Sequence, residues 1–278
     1  MSELTTTSAA GHGRTGPRPL SSMPSSLRVG IISNVRMLAT DVDGTLTSGG
    51  KLTGQVITTV EALAAARIEV VPVSGRPAGE VQGLCRYLPG VKRALAENGM
   101  LEVVPDGPLR WLAAPSDRAW LKSIGETLNR EHDAGLSLTP DDFCRVGDVA
   151  YERDGRNDAE LARLRSIVEA MGAYLVWSNV HVHIAQSIPD KGRGVLFVAG
   201  ERGLTGEAVA TIGDAPNDAG LFMSGRFGLT VGTSDVIPQL EFFPNAPEWV
   251  TGASESSGFL ELAALLLSVQ RNGSVVPF

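Results

Sequence analysis

The chain has 278 residues, a formal net charge of −7 and 43% hydrophobic residues, which suits one or two domains with an ample core. It has no run of lysine and arginine to track nucleic acid, and no uninterrupted apolar stretch reaches the roughly 18 residues that would suggest a membrane span. Cys85 and Cys144 lack metal-ligand or C-x-x-C spacing, which points to a reducing compartment and to two buried free thiols.

Residues 1–35 are rich in Ser, Thr, Gly, Pro and Arg, with few large apolar side chains before Val29. This composition predicts a flexible N-terminal extension. It lacks the continuous apolar segment of a secretory signal, so a cytoplasmic location is expected. Met37 stands directly before the first strand-like run and is a candidate alternative start. N-terminal sequencing of the native protein checks this, and retention of residues 1–36 would exclude it.

The run from Met37 to Val42 reads as a buried strand, and Asp41, Asp43 and Gly44 follow at its carboxyl end in LATDVDGTLT. In open α/β sheets ligands bind at that edge. Two carboxylates there could hold a divalent cation and attack or protonate a bound group; a plain acidic turn is the alternative. A calcium loop does not fit, because counting from Asp41 the sixth position is Leu46 and the twelfth is Leu52.

A helix is expected at 54–67 and a buried parallel strand at 68–73, ending in Ser74, Gly75, Arg76 and Pro77. The Ser74 hydroxyl and adjacent amides could donate to a phosphate oxygen, or Ser74 could simply cap a helix at 77–88. Pro72 rules out a G-x-S-x-G nucleophile elbow. A strand at 93–97, the turn ENGM at 97–100 and a hairpin over 99–113 follow.

The middle of the chain reads as helix 116–132, strand 145–152, helix 157–171 and two strands over 173–185 around Ser178 and Asn179. This suggests a separate βαββαβ-like unit. His181 and His183 alternate in HVHIA and share one face, where they could meet a phosphate or hydroxyl or simply form a half-buried sheet face. Arg145 and Glu152 are comparable candidates. Trp111, Trp120 and Trp177 are expected in cores or domain interfaces.

Pro189 to Arg193 then leads into a helix at 191–202, with Lys191 at its start, where a cation opposes the helix dipole and suggests a nearby anion. The glycine spacing is not that of a Walker loop. Strand 208–212 ends in GDAPNDAG, placing Asp214 at a strand end with Asn217 and Asp218 in the next turn. Helix 216–223, strand 227–231 and helix 257–269 complete the pattern, and no internal repeat is visible. Strands alternating with helices favour a doubly wound parallel sheet.

With these clusters in hand the chain resembles the haloacid dehalogenase superfamily of phosphohydrolases. DVDGT at 41–45 matches the first motif of that superfamily, Ser74 the second, Lys191 the third and GDAPND at 213–218 the fourth. ENGM at 97–100, and the tail from Trp249 to Leu267, are similar to the subgroup with a large α/β cap. The resemblance implies a Rossmann-like core over 36–113 and 186–278, with an α+β cap inserted at 114–185 that closes over the strand ends.

It implies a magnesium-dependent phosphomonoesterase acting through an aspartyl phosphate. In that scheme Asp41 is the nucleophile and Asp43 the acid and base, with Mg2+ held by Asp41, the Asp43 carbonyl and Asp214. Ser74 and Lys191 bind phosphate oxygens, and Asn217 and Asp218 position the site. Gly75, Arg76, Asn98 and His183 are expected to contact substrate. A small phosphorylated metabolite such as a sugar phosphate or phosphoglycolate is the expected partner, without nucleic acid or membrane. A phosphomutase, a dehalogenase and a noncatalytic metal-dependent binding module are the competing readings. GDAPND speaks against the first, Asp43 against the second, and the complete set of competent residues against the third.

Overall fold

A computed structural model describes residues 16–273. In chain order the elements are β1 (Arg18–Pro19), α1 (Ser25–Ile32), β2 (Met37–Thr40), α2 (Gly54–Ala65), β3 (Glu69–Pro72), α3 (Ala78–Tyr87) and β4 (Ala94–Ala96). Then come β5 (Leu101–Val103), β6 (Arg110–Trp111), α4 (Arg118–His132), β7 (Asp148–Glu152), α5 (Asp158–Ala170), β8 (Tyr174–Trp177) and β9 (His181–Ala185). The chain finishes with α6 (Lys191–Glu201), β10 (Val209–Gly213), β11 (Leu229–Gly232), β12 (Trp249–Val250) and α7 (Glu255–Gly273).

The main sheet is parallel throughout, in the order β1-β12-β11-β10-β2-β3. Every residue of β2 and β10 is buried, as expected of central strands covered by helices on both faces. From β2 the chain first builds outward through β3, then returns to add β10, β11 and β12 on the other side. The boundary between β2 and β10 is therefore the topological switch point, where such sheets bind their ligands. Thr40 pairs with Ile212 in that register, and the Asp41 amide donates to the Ile212 carbonyl at 2.9 Å. Asp41 and Asp214 thus leave adjacent strands side by side.

Residues 16–35, expected within a flexible extension, are instead built into the core. β1 extends the sheet beside β12, and Arg18 stacks over the Trp249 ring at 3.9 Å. Leu20, Met23, Ile32 and Val35 are buried in the same cluster as Phe259, Leu262 and Leu266 of α7. Only a few scattered apolar side chains are buried in this stretch, and a composition rich in Ser, Pro and Arg conceals them. The remainder of that expectation, residues 1–15, lies outside the described residues. Removing residues 1–36 should uncover the α7 face and forfeit four buried side chains at about 1.5–3 kcal/mol each, a large part of a typical domain's roughly 5–15 kcal/mol. Thermal melting of the truncated chain checks this, and an unchanged midpoint would contradict it.

A second unit runs from α4 to β9. Its antiparallel sheet has the order β7-β9-β8, and residues around Leu138 pair alongside Tyr151 as a further edge. The succession is αββαββ rather than the expected βαββαβ-like order, because α4 precedes the first extended segment. Val149, Tyr151, Leu175, Trp177, Val182 and Ile184 pack with α4 and α5, leaving Asp148, His181 and His183 on the opposite face, toward the core. The strand expected from Arg145 begins only at Asp148; Arg145 follows a 3-10 turn over Asp142–Cys144 and is held by side-chain partners described below. The helix expected at 216–223 is likewise a 3-10 segment, Pro216–Phe222, in keeping with its Asn, Asp and Gly content.

Cys85 is buried, but Cys144 is only partly so, which departs from the expectation of two buried thiols. Trp177 fills the second unit's core and meets Phe242 of the main unit edge-on at 6.3 Å. No helix among the described residues is long and apolar enough to cross a membrane.

Candidate active site

Three carboxylates and one ammonium meet at the switch point. Lys191 opens α6, whose N-terminal cap is the Asp190 side chain accepting from the Arg193 amide at 3.0 Å. The fully buried Lys191 Nζ donates to Asp41 Oδ1 at 2.5 Å and to Asp218 Oδ1 at 2.6 Å. The other oxygen of Asp218 accepts from the amides of Asp214 and Ala215 at 2.9 and 3.1 Å, so Asp218 ties the fourth motif to the lysine. Asp214 Oδ1 accepts from Thr45 Oγ1 at 2.7 Å. Gly44, with φ of +86°, passes so close that a Cβ there would lie 2.6 Å from Asp214 Oδ2. Only glycine serves at this point of DVDGT.

The carboxylates of Asp41, Asp214 and Asp218 lie close enough to share one cation. Asp218 is engaged by Lys191 and two amides, whereas Asp41 and Asp214, each with fewer partners, retain lone pairs that a cation could use. Three buried carboxylates against one lysine carry an uncompensated charge of about −2, and a divalent cation with few protein ligands and several waters fits that set. Burial pushes the Asp41 carboxyl up to about 7, with Lys191 opposing and Asp218 adding to the rise. Asp214 is raised well above its usual range by burial and by its neighbours Asp41 and Asp218. Lys191 is held charged by Asp218 and Asp41, which outweigh its desolvation.

A consequence for stability follows. A carboxyl raised from 3.8 to about 7 by folding stabilises the fold in its protonated form. That contribution is complete below the unfolded value and is lost as the pH rises through about 7. The metal-free chain should therefore melt at lower temperature as the pH rises across this window, and added Mg2+ should raise the midpoint more at about pH 7.5 than at about pH 5. Calorimetry with and without Mg2+ checks this; a magnesium shift independent of pH would contradict it.

Asp43 points elsewhere. Arg76 grips its carboxylate with Nε at 2.8 Å and Nη2 at 3.0 Å, while Nη1 approaches Glu80 at 3.4 Å. Arg76, expected to bind substrate, is thus placed as the partner of Asp43. A cavity of about 470 Å³ opens beside this pair, lined by Val42, Lys51, Leu52, Ser74, Val81 and Leu84 among others. Ser74 is buried, and its Oγ accepts from the Arg76 amide at 3.0 Å, which leaves the hydroxyl proton available to an anion.

Asn98 and Asn217 meet across the site. Asn217 Nδ2 donates to Asn98 Oδ1 at 3.0 Å, whereas Asn98 Nδ2 and Asn217 Oδ1 are buried without a hydrogen-bond partner among the described residues. Orphaned buried polar atoms beside a polar cleft are where a ligand or ordered water is accommodated. His183 sits deeper, its Nδ1 at 2.8 Å from Asp148 Oδ2 and its Nε2 against Gly75. His181 and His183 are both buried, not half-buried. Burial pushes His181 down to about 4, with His183 adding to the fall.

Three residues outside the sequence-derived site contribute, together with Arg145, which the sequence offers as a candidate without a partner. Thr45 belongs to DVDGT, and its hydroxyl at the strand end was the available signal. Asn179, in the turn between β8 and β9, donates its amide to Asp214 Oδ2 and lies 3.4 Å from Gln239 Nε2. Glu97 accepts from the amides of Val146, Gly147 and Asp148 at 3.0, 2.5 and 2.9 Å. Arg145 donates to the Gly75 carbonyl at 2.9 Å. In the sequence these last three show only a turn, an acidic residue beside Asn-Gly and a lone arginine.

A parallel sheet with carboxylates at its switch point, a lysine opening the helix before β10 and an αββαββ unit over the strand ends define a doubly wound α/β protein with a cap-like second unit. The chain is similar in sequence to phosphoglycolate phosphatases and in fold to haloacid dehalogenase-like hydrolases. No family model matches it. It is 26% identical over 231 residues to the phosphoglycolate phosphatase of Methanoculleus marisnigri, covering 82% of this chain and 94% of that one. Among solved structures, Thermoplasma acidophilum 0175 superposes with a TM-score of 0.68 at 17% identity, covering 83% of this chain and 99% of its own. A haloacid dehalogenase-like hydrolase from Bacteroides thetaiotaomicron gives 0.60 at 16% identity, with 83% and 98% covered.

Proposed function

We propose that the chain is a magnesium-dependent phosphomonoester hydrolase working on a small phosphorylated metabolite through an aspartyl phosphate. The observation that carries this reading is Lys191 bridging Asp41 and Asp218, with Asp214 on the adjacent strand end and Asp43 two residues on, over a cavity. We assign residues 36–113 and 186–278 to the catalytic core and 114–185 to the cap. Asp41 and Asp214 would hold Mg2+ with the Asp43 carbonyl, and the bound ion would neutralise charge between nucleophile and phosphoryl group.

Asp41 attacks phosphorus as the ester oxygen departs, and Asp43 supplies the proton that the departing oxygen needs. Asp43 then takes a proton from the water that cleaves the acyl phosphate, regenerating Asp41 and releasing phosphate. Arg76 holds the Asp43 carboxylate in a two-bond fork. For the first half the fork has to open, with the leaving oxygen taking its place. Lys191 and Ser74 bind equatorial phosphoryl oxygens, and the orphaned amide of Asn98 is available to the substrate.

The cavity beside Asp43 is wide enough for a sugar as well as a two-carbon acid, and the phosphoglycolate phosphatase relatives make phosphoglycolate the first substrate to test. The test is a phosphate-release screen over phosphoglycolate, sugar phosphates, nucleotides and cofactor phosphates, with Mg2+ and with chelator. Magnesium-dependent release from phosphoglycolate or a sugar phosphate is the expected result. No release from any of them would favour a noncatalytic binding module instead.

A further inference from the structure

Besides Asn179 on Asp214 and Trp177 against Phe242, the cap meets the core along residues 145–148, where the contacts run in both directions. From the core, Glu97 reaches up to accept three consecutive amides, those of Val146, Gly147 and Asp148. From the cap, Arg145 reaches down. Its side chain is fully buried, and three of its bonds stay within the cap: Nε and Nη2 donate to the two oxygens of Asp141 at 2.9 and 2.8 Å, and Nη1 to Asp148 Oδ1 at 3.0 Å. Asp148 is braced in turn by His183 at 2.8 Å. The fourth bond crosses to the core, from Nη1 to the Gly75 carbonyl at 2.9 Å.

The Gly75 carbonyl belongs to the same peptide plane as the Arg76 amide, so fixing one end orients the other. That amide donates to Ser74 Oγ at 3.0 Å. The neighbouring backbone is held by the core, with the Ser74 amide donating to Leu95 and the Ser74 and Arg76 carbonyls accepting from Asn98 and Glu97. The Gly75 carbonyl takes its bond from the cap. A Cβ at Gly75 would lie 2.9 Å from His183 Nε2, so the cap seats directly on this residue.

We infer that Arg145 is a positioning residue that couples cap closure to the phosphate-binding loop: when 145–148 docks between Glu97 and Gly75, the Gly75–Arg76 peptide is set and Ser74 is aimed at the phosphoryl oxygens. This rests on the phosphohydrolase reading for its catalytic consequence, but its structural part does not. An open cap leaves the peptide free to turn, so phosphoryl transfer proceeds only beneath a seated cap.

The experiment compares the full chain with Arg145→Lys, which keeps the charge between Asp141 and Asp148 but cannot fork to one and reach Gly75 as well. Hydrogen exchange of the peptide covering residues 74–76 is read beside steady-state kinetics on the best substrate. Exchange there should speed up although the substitution lies 70 residues away in sequence, and kcat should fall about a hundredfold with KM little changed. A purely structural role would raise exchange only in the cap. Unchanged exchange at 74–76 together with unchanged kcat would overturn the inference. Should Arg145→Lys unfold the cap, Glu97→Gln, which loosens the same stretch from the core side and leaves the Arg145 network intact, must reproduce the faster exchange; if it does not, the coupling is refuted. Absence of phosphatase activity would count against the functional reading alone, since the exchange measurement needs no turnover.

Discussion

Replacing Asp41 by Asn should leave a folded protein that has lost turnover by four or more orders of magnitude, on the order of what removing a covalent nucleophile costs elsewhere. The amide cannot attack phosphorus, and no other carboxylate can take over. Asp218 is engaged by Lys191 and two amides, Asp214 is held by Thr45 and Asn179, and Asp43 is turned to Arg76. Asp41→Asn also removes a charge that burial disfavours, so the metal-free variant should melt no earlier than the parent. Near-normal phosphate release from this variant would refute the nucleophile assignment.

The second large effect is expected at Lys191. Lys191→Met removes the cation that two buried carboxylates share, leaving Asp41, Asp214 and Asp218 without compensation. Breaking such a buried pair typically costs about 3–5 kcal/mol, which corresponds to a fall in melting temperature of roughly 6–20 °C for a chain of this size class. Added Mg2+ should restore part of the stability and none of the activity, because the phosphoryl group has still lost its cationic partner. Thermal melts and phosphate release, each with and without Mg2+, check both halves. A variant that keeps the parent's midpoint and activity would contradict the account.

The alternation of strand and helix, the strand-end placement of Asp41, Ser74 and Asp214, and the position of Lys191 at a helix start were all legible because each depends on local pattern: a buried apolar run followed by a polar turn. The approach of Asp41 to Asp214 was not local, yet the topology of a doubly wound sheet makes it follow from chain order. Residues 16–35 misled because composition averages over the few spaced apolar side chains that dock on α7. The contacts between cap and core carried little sequence signal: Arg145 was a candidate, but its partner was not legible. Arg145, Glu97 and Asn179 act through partners 70, 49 to 51 and 35 residues away, and nothing in their immediate neighbours distinguishes them from surface residues. Arg76 was expected at the substrate; it lines the cavity, and its bond to Asp43 is the part its motif neighbourhood did not show.

The central claim is that a phosphoryl group passes through the Asp41 carboxylate. It is tested most directly by acid-quenching the enzyme during turnover of a labelled phosphomonoester with Mg2+ and mapping the label by peptide mass spectrometry. The account predicts a transient, acid-stable but hydroxylamine-sensitive phosphoryl group on the peptide containing Asp41, absent from Asp41→Asn. Turnover with no phosphoryl-enzyme at any quench time, or with the label on another residue, would contradict it.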